Sequence, residues 1–141
     1  MTQAVAREFR WPVRVYYEDT DAGGVVYHAS YLRFMERART EWLRARGFEQ
    51  DRLRVEYDLL LVVHDVALQF LQPARFDDQL SVTVALTGCG GARVALTQAV
   101  LRPRDAAVCC RATLNVASVS ASRWRPRRLP AVLRTELRDG F

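Results

Sequence analysis

The sequence predicts an α+β fold in which one long helix lies on a five-stranded antiparallel sheet. Three observations predict it. One helical stripe of apolar residues lies between Ser30 and Gly47, period-two alternation takes over from Leu61, and the connections between the later strands are short. Short connections imply antiparallel pairing. A helix with one broad apolar face and a sheet with one apolar face bury both by packing together. The 141 residues suit one domain, 1–141, with a core over about 12–120 and a basic tail over 123–141.

The first strand pattern is Val13-Arg14-Val15-Tyr16-Tyr17, which places Val13, Val15 and Tyr17 on one face. A turn-like stretch follows from Asp19 to Gly24. The helix comes next, with Ser30 as its expected N-cap and Gly47 where a left-handed C-terminal residue belongs. Tyr31, Met35, Ala38 and Trp42 recur at helical spacing, and Leu32, Phe34 and Leu43 widen the stripe. Arg33, Arg37 and Arg44 fall on the water side. Residues 48–59 are mixed and are expected to form a loop with at most a short turn. Leu61 to Leu71 is the second strand, joined through Pro73-Ala74-Arg75-Phe76-Asp77-Asp78 to the alternating run Leu80 to Leu86. Gly88-Cys89-Gly90-Gly91 is the expected hairpin turn. Arg93–Leu101 and Ala107–Ser118 are the last two strands, joined by Pro103-Arg104-Asp105. The tail from Arg123 is basic and interrupted by proline, which predicts a short helix or a loosely attached end.

Composition excludes several classes. No run approaches the ~20 apolar residues of a membrane span, and Met1 to Arg10 lacks an apolar signal core, so the expected location is the cytoplasm. Three cysteines, two of them adjacent at Cys109 and Cys110, do not suit a disulfide framework and read as small buried apolar residues. Two histidines without a Cys-x-x-Cys pair offer no zinc site. The net charge is +5 and every basic residue is Arg, so chemistry that needs a lysine is excluded. Excess Arg suits anionic partners such as cofactor phosphates or an acidic carrier protein. Nucleic acid is disfavoured, because the arginines are dispersed and no reading helix or aromatic platform stands out.

Chemistry concentrates in the segment from Tyr17 to His28. Asp19, Asp21, Gly23, Gly24 and His28 lie between a strand and the buried helix. A helix N-terminus carries unpaired N–H donors and the positive end of the dipole. Glycines let a substrate approach those donors without a Cβ clash. An ionised carboxylate beside such donors can activate water or attack a carbonyl, while the donors stabilise the resulting oxyanion. By local physics alone the same residues also describe a turn cluster, since Asp and Gly favour turns. A calcium loop is excluded, because the later acidic ligands are missing.

The run Val15-Tyr16-Tyr17-Glu18-Asp19-Thr20-Asp21-Ala22-Gly23-Gly24-Val25-Val26-Tyr27-His28-Ala29-Ser30-Tyr31-Leu32-Arg33-Phe34-Met35-Glu36-Arg37-Ala38-Arg39-Thr40-Glu41 resembles the signature of the YbgC-type thioesterases. These belong to the 4-hydroxybenzoyl-CoA thioesterase branch of the hotdog-fold superfamily. Leu71-Gln72-Pro73-Ala74-Arg75-Phe76-Asp77-Asp78 resembles the same family's strand connection, and the likeness covers about residues 12–120. Ala22 and His28 stand where the 4-hydroxybenzoyl branch has Pro and Tyr, which favours the YbgC-type subgroup.

The resemblance implies a hotdog fold, a five-stranded antiparallel sheet wrapped around one long central helix. It implies hydrolysis of acyl-CoA to free acid and CoA without a cofactor. Asp21 is the implied base or nucleophile, and His28 assists at the helix start through its backbone N–H or side chain. Asp19 holds the loop. Gly23, Gly24, Val25 and Tyr27 of the motif are the implied substrate-binding positions. The family forms homodimers or homotetramers with active sites at the dimer interface. Tyr17 either bonds near Asp21 or packs on the core, and Arg93, beside the glycine turn, is a candidate for a CoA phosphate. His64, Glu36 and Glu41 read as structural or solvent-facing. Two alternatives remain from other classes: a dehydratase of 3-hydroxyacyl thioesters using a His28–Asp21 pair, and a non-catalytic acyl-CoA- or partner-binding module using the basic tail. Acyl-chain preference is not legible in the sequence.

Overall fold

Alternation sets the sheet. Every second residue of one strand, Val94, Leu96, Gln98, Val100 and Arg102, is buried, and so is the matching set from Cys110 to Ser120 in its neighbour. A computed structural model describes residues 8–139. Its strands are β1 (Glu8–Arg14), β2 (Leu59–Phe70), β3 (Gln79–Gly90), β4 (Arg93–Arg102) and β5 (Ala107–Ser120). Its helices are α1 (His28–Ala45), α2 (Gln50–Tyr57) and α3 (Ala131–Asp139). The five strands form one sheet in the order β1-β3-β4-β5-β2, and every pair is antiparallel. β1 and β2 are therefore its edges.

Helix α1 packs its stripe against the sheet. Phe34, Met35 and Ala38 are fully buried, and Tyr31, Trp42 and Leu43 nearly so. Burying a side chain the size of Phe34 or Met35 contributes about 1.5–3 kcal/mol. Leu32 departs from the expected stripe and is exposed, because it lies on the side turned from the sheet. A buried polar link also holds the helix in place. Gln98 donates to the Met35 carbonyl (3.1 Å) and the Thr83 carbonyl (3.2 Å) and accepts from Arg39 (2.9 Å).

Several boundaries differ from the expectation. β1 starts at Glu8 and ends at Arg14, so Tyr17 does not continue it. Tyr17 opens a 3₁₀ turn (Tyr17–Asp19) and is 76% exposed. Helix α1 starts at His28 with Tyr27 as N-cap, three residues before the cap expected at Ser30. The hydroxyl of Ser30 is spent on the Asp19 carbonyl (3.1 Å) instead of on the helix's own N–H groups. At the other end Gly47 (φ +88°) donates to the Arg44 carbonyl and Phe48 to the Leu43 carbonyl, each at 2.9 Å. That pair of bonds is a Schellman stop.

Residues 50–57 form α2 where a loop was expected. Only Leu53 of this helix is buried, so no apolar stripe advertises it, and exposed Arg52–Glu56 and Arg54–Asp51 pairs line its surface. The Gly88–Gly91 hairpin turn is also shorter than expected. β3 runs through Gly90, and the turn is Gly91-Ala92 with Gly91 at φ +60°. The tail forms α3, and Leu129, Leu133 and Leu137 lie in the same buried cluster as α1 and the sheet.

A bulge in β2 changes a side-chain assignment. Val63 pairs with Val116 but Asp65 pairs with Asn115, so His64 is the extra residue. The slip puts Val66 and Leu68 on the helix side and Val62 on the opposite face, although unbroken alternation would group all three with His64. The Leu133 side chain is fully buried, so Leu133→Ala is expected to lower unfolding free energy by about 2–5 kcal/mol in urea titrations. An unchanged midpoint would show that α3 is no part of the core.

Candidate active site

The segment between β1 and α1 is built on Asp19. Asp19 is 3% exposed, and its carboxylate accepts the Tyr16 N–H (2.9 Å), with the Arg33 guanidinium 3.6 Å away. Its carbonyl accepts the Tyr27 N–H (2.8 Å) and the Ser30 hydroxyl. One residue thus joins the 3₁₀ turn to the first turn of α1.

Between those anchors the chain makes a tight hairpin. Thr20 bridges Val26, the Asp21 N–H donates to the Val25 carbonyl (2.9 Å), and the Gly24 N–H donates to the Asp21 carbonyl (3.0 Å). Gly24 has φ +77°, which favours glycine. The Asp21 carboxylate is exposed and accepts the Gly23 N–H at 2.8 Å. A Cβ on Gly23 would stand 3.2 Å from that carboxylate, so a bare glycine leaves it room.

The hairpin leans on the 73–78 connection, and the two segments that carry the family likeness meet here. Val26 donates to the Ala74 carbonyl (2.8 Å), Val25 bridges Arg75, and the Ala74 N–H donates to the Tyr31 hydroxyl (3.2 Å). Burial pushes the Tyr31 phenol above its ordinary value, against the opposing effect of that Ala74 bond. Behind the connection sits Arg102, 7% exposed. It donates to the Pro73 carbonyl (2.9 Å) and pairs with Asp105 (2.9 Å) and Asp78 (3.4 Å). Cys109 and Cys110 are fully buried, and burial pushes the Cys110 thiol up to about 11, as suits inert packing.

These elements enclose an open cleft of about 310 Å³. Asp21 and His28 line it together with Tyr31 and the wall Phe70-Leu71-Gln72-Pro73. The His28 ring packs on Tyr27 (4.3 Å between centroids) and meets Phe70 edge-on (6.3 Å). As the first two residues of α1, His28 and Ala29 have no carbonyl one turn back within the helix, so their N–H groups are available donors.

Asp21 and His28 are thus brought together, and Gly23, Gly24 and Val25 act through their backbones around Asp21. Tyr27 is exposed beside His28. Tyr17 lies elsewhere, stacked on Phe76 at 3.9 Å and outside the cleft lining. Arg93 does not line the cleft either. It opens β4 opposite Ala117, where its charge acts on Asp65. His64 bonds Asp65 (3.0 Å), Glu41 pairs with Arg44, and Glu36 borders a different cavity between α1 and β2. The sequence reading missed Tyr31, Phe70 and Arg102 as parts of the site. Arg102 was the most legible of them, because it ends the alternating run of β4 directly before Pro103 and close to Asp105. Among the described residues no group of three or more His, Cys, Asp or Glu is placed to hold a metal, and no helix is long and apolar enough to cross a membrane.

The family model of the thioesterase-like superfamily matches residues 15–137. The acyl-CoA thioester hydrolase YbgC of Escherichia coli O6:H1 is 43% identical over 131 residues, covering 93% of this chain and 96% of that one. The acyl-CoA thioesterase YbgC of Haemophilus influenzae is 44% identical over 122 residues, covering 86% and 88%. Among solved structures, a probable thioesterase from Bartonella henselae superposes with a TM-score of 0.83 at 35% identity, covering 88% of this chain and 100% of that one.

The two aspartates are expected to separate on substitution. Asp19→Asn gives up a buried carboxylate with its Tyr16 and Arg33 partners and should lower unfolding free energy by about 1–3 kcal/mol. Asp21→Asn is exposed and should change it by less than about 0.5 kcal/mol. Paired urea titrations check this, and equal losses for the two variants would contradict it.

Proposed function

The chain belongs to the YbgC-type acyl-CoA thioesterases of the thioesterase-like superfamily, and on that premise we propose that it hydrolyses acyl-CoA in the cleft beside Asp21. The observation that carries the reading is the shared wall: an exposed carboxylate and the N-terminus of α1 border one cleft. The thioester carbonyl lies toward the His28 and Ala29 N–H groups, which stabilise the oxyanion. Asp21 takes a proton from water as the hydroxyl adds to the carbonyl carbon, or it attacks that carbon itself. Collapse of the tetrahedral adduct breaks the C–S bond, and the CoA thiolate leaves and is protonated. On the second route water then cleaves the mixed anhydride. The Gly23 N–H holds the Asp21 carboxylate toward the reacting carbon. His28 contributes its backbone N–H, and its ring helps form the cleft wall with Phe70.

The cleft is open and Phe70, the last residue of the edge strand β2, lines it, so a second copy of the chain seated on β2 would add a wall. β2 is a 12-residue edge strand with Val63, Val66 and Phe70 exposed on its helix side. Such an edge is a template for pairing with another strand. Antiparallel pairing of two β2 strands about a two-fold axis joins the sheets and covers that apolar row. The fit is to an acyl-CoA substrate and a homodimer. An acylated carrier protein would present the same thioester on the same arm.

Thiol release from a panel of acyl-CoA substrates tests the assignment. Asp21→Asn is expected to lose about a hundredfold or more in kcat, the usual worth of a positioned base. Equal rates for the two proteins would remove Asp21 from the chemistry. Solvent ¹⁸O in a single turnover then probes the routes: label in Asp21 requires an anhydride opened by water at the aspartyl carbonyl, whereas direct attack of water on the thioester labels the released acid alone.

A further inference from the structure

A loop far from Asp21 carries features that hydrolysis alone does not use. Between β5 and α3 the chain runs Arg123-Trp124-Arg125-Pro126-Arg127-Arg128. Trp124 is 64% exposed and has φ +54°. A bulky residue in the left-handed region is strained, and such strain persists only where the surroundings impose it.

Here the surroundings are explicit. Asp58, itself at φ +51°, accepts the Ser122 N–H (2.8 Å) and the Ser122 hydroxyl (2.8 Å) on its carboxylate, along with the Ser120 hydroxyl. The Asp58 carbonyl accepts the Ala121 N–H (3.1 Å). The Trp124 N–H donates to the Ser120 carbonyl (2.8 Å), and the Ser120 N–H to the Arg125 carbonyl (2.7 Å). Hydrogen bonds from Ser120 and Ser122 hold the Asp58 carboxyl below its ordinary value, so the cage is charged and closed at neutral pH. The loop is therefore rigid, and it displays an indole between outward guanidinium groups. Arg123, Arg125 and Arg128 are exposed, and none forms an ion pair among the described residues.

We propose that this loop binds the nucleotide end of the acyl-CoA substrate, with the adenine ring on Trp124 and the phosphates on Arg123, Arg125 and Arg128, and that it serves the active site of the other subunit. The inference rests on the hydrolysis reading and on β2 pairing. A rigid aromatic platform suits a purine, and forked guanidinium groups suit phosphates. Distance sets the subunit. β2 has 12 residues, so Leu59, which adjoins the Asp58 cage, lies roughly 36 Å along the strand from Phe70 at the cleft. The pantetheine arm has the chain length of four or five residues and reaches roughly 15 Å. The loop cannot serve its own subunit's cleft. A two-fold axis through the middle of β2 sets the partner subunit's Leu59 beside Phe70, which brings the partner subunit's Trp124 loop to the cleft mouth.

Trp124→Gly tests the site, because glycine removes the ring and accepts the positive φ, so the loop still forms. The double variant Arg123→Gln/Arg125→Gln tests the charge separately. Adenosine 3′,5′-bisphosphate should bind wild type by calorimetry and bind Trp124→Gly about tenfold more weakly, the usual scale for one stacked base. The KM of acyl-CoA relative to that of the matching acyl-pantetheine should rise by a similar factor in either variant. Coexpressed Asp21→Asn and Trp124→Gly subunits should recover low-KM turnover, since only a site shared across subunits restores one intact pair. No bisphosphate binding to wild type, equal KM increases on both substrates, or no recovery in the mixed dimer would each overturn the proposal. So would loss of binding to an acidic carrier protein with bisphosphate binding intact. If wild type binds the bisphosphate but releases no thiol from any acyl-CoA, the nucleotide site stands and the hydrolysis reading fails.

Discussion

The buried carboxylate of Asp19 decides the geometry of everything around the cleft. A charge removed from water must be met by donors, and here they come from the backbone of Tyr16 and from Arg33 on α1. The Asp19 carbonyl takes two more donors, from Tyr27 and Ser30. Once these are satisfied the helix can start only at His28, and the hairpin from Thr20 to Val26 must close over the remaining gap. The exposed Asp21 is then set beside the helix N-terminus by the neighbour that shares its type. Two aspartates two residues apart do opposite work because one is solvated and the other is not.

Support for that hairpin comes from distant parts of the chain. Arg102 on β4 holds the Pro73 carbonyl and Asp78, and the 73–78 connection in turn accepts Val26 and donates to Tyr31. The cleft is therefore braced by a buried guanidinium that never reaches it. Loss of such a brace would leave Asp78 without its buried partner and free the connection. Rigidity of this kind matters to a hydrolase, since oxyanion stabilisation depends on donors already in position.

The edge of the sheet is where the molecule is unfinished. β2 exposes apolar side chains along one side and ends at the cleft wall. Its bulge at His64 shifts the inward face by one residue midway, so that Val66 and Leu68 join α1's side of the sheet. Pairing of two such edges would close the cleft and hide the apolar row in one step. The same pairing would give a loop at the far end of the strand something to bind.

Much of this was legible in the sequence. The α+β class, the order of elements and the inward faces of α1, β4 and β5 follow from apolar period, which a chain carries whatever its neighbours. The Asp21–His28 pair was legible from motif likeness, although local physics alone left it as a turn. Other features depend on partners distant in sequence. Ser30 reads as a cap until Asp19 takes its hydroxyl, and Tyr17 reads as a strand residue until Phe76 stacks on it. Residues 50–57 lack an apolar stripe, so their helix is invisible without the packing of Leu53. Arg93 differs in the same way: its charge nominates it for an anionic ligand, but the strand register sets it opposite Ala117 and outside the cleft lining. Periodicity and residue type belong to the chain. Which hydroxyl is occupied, which carboxylate is dry and which surface faces a second copy are properties of contacts that exist only once the chain has folded.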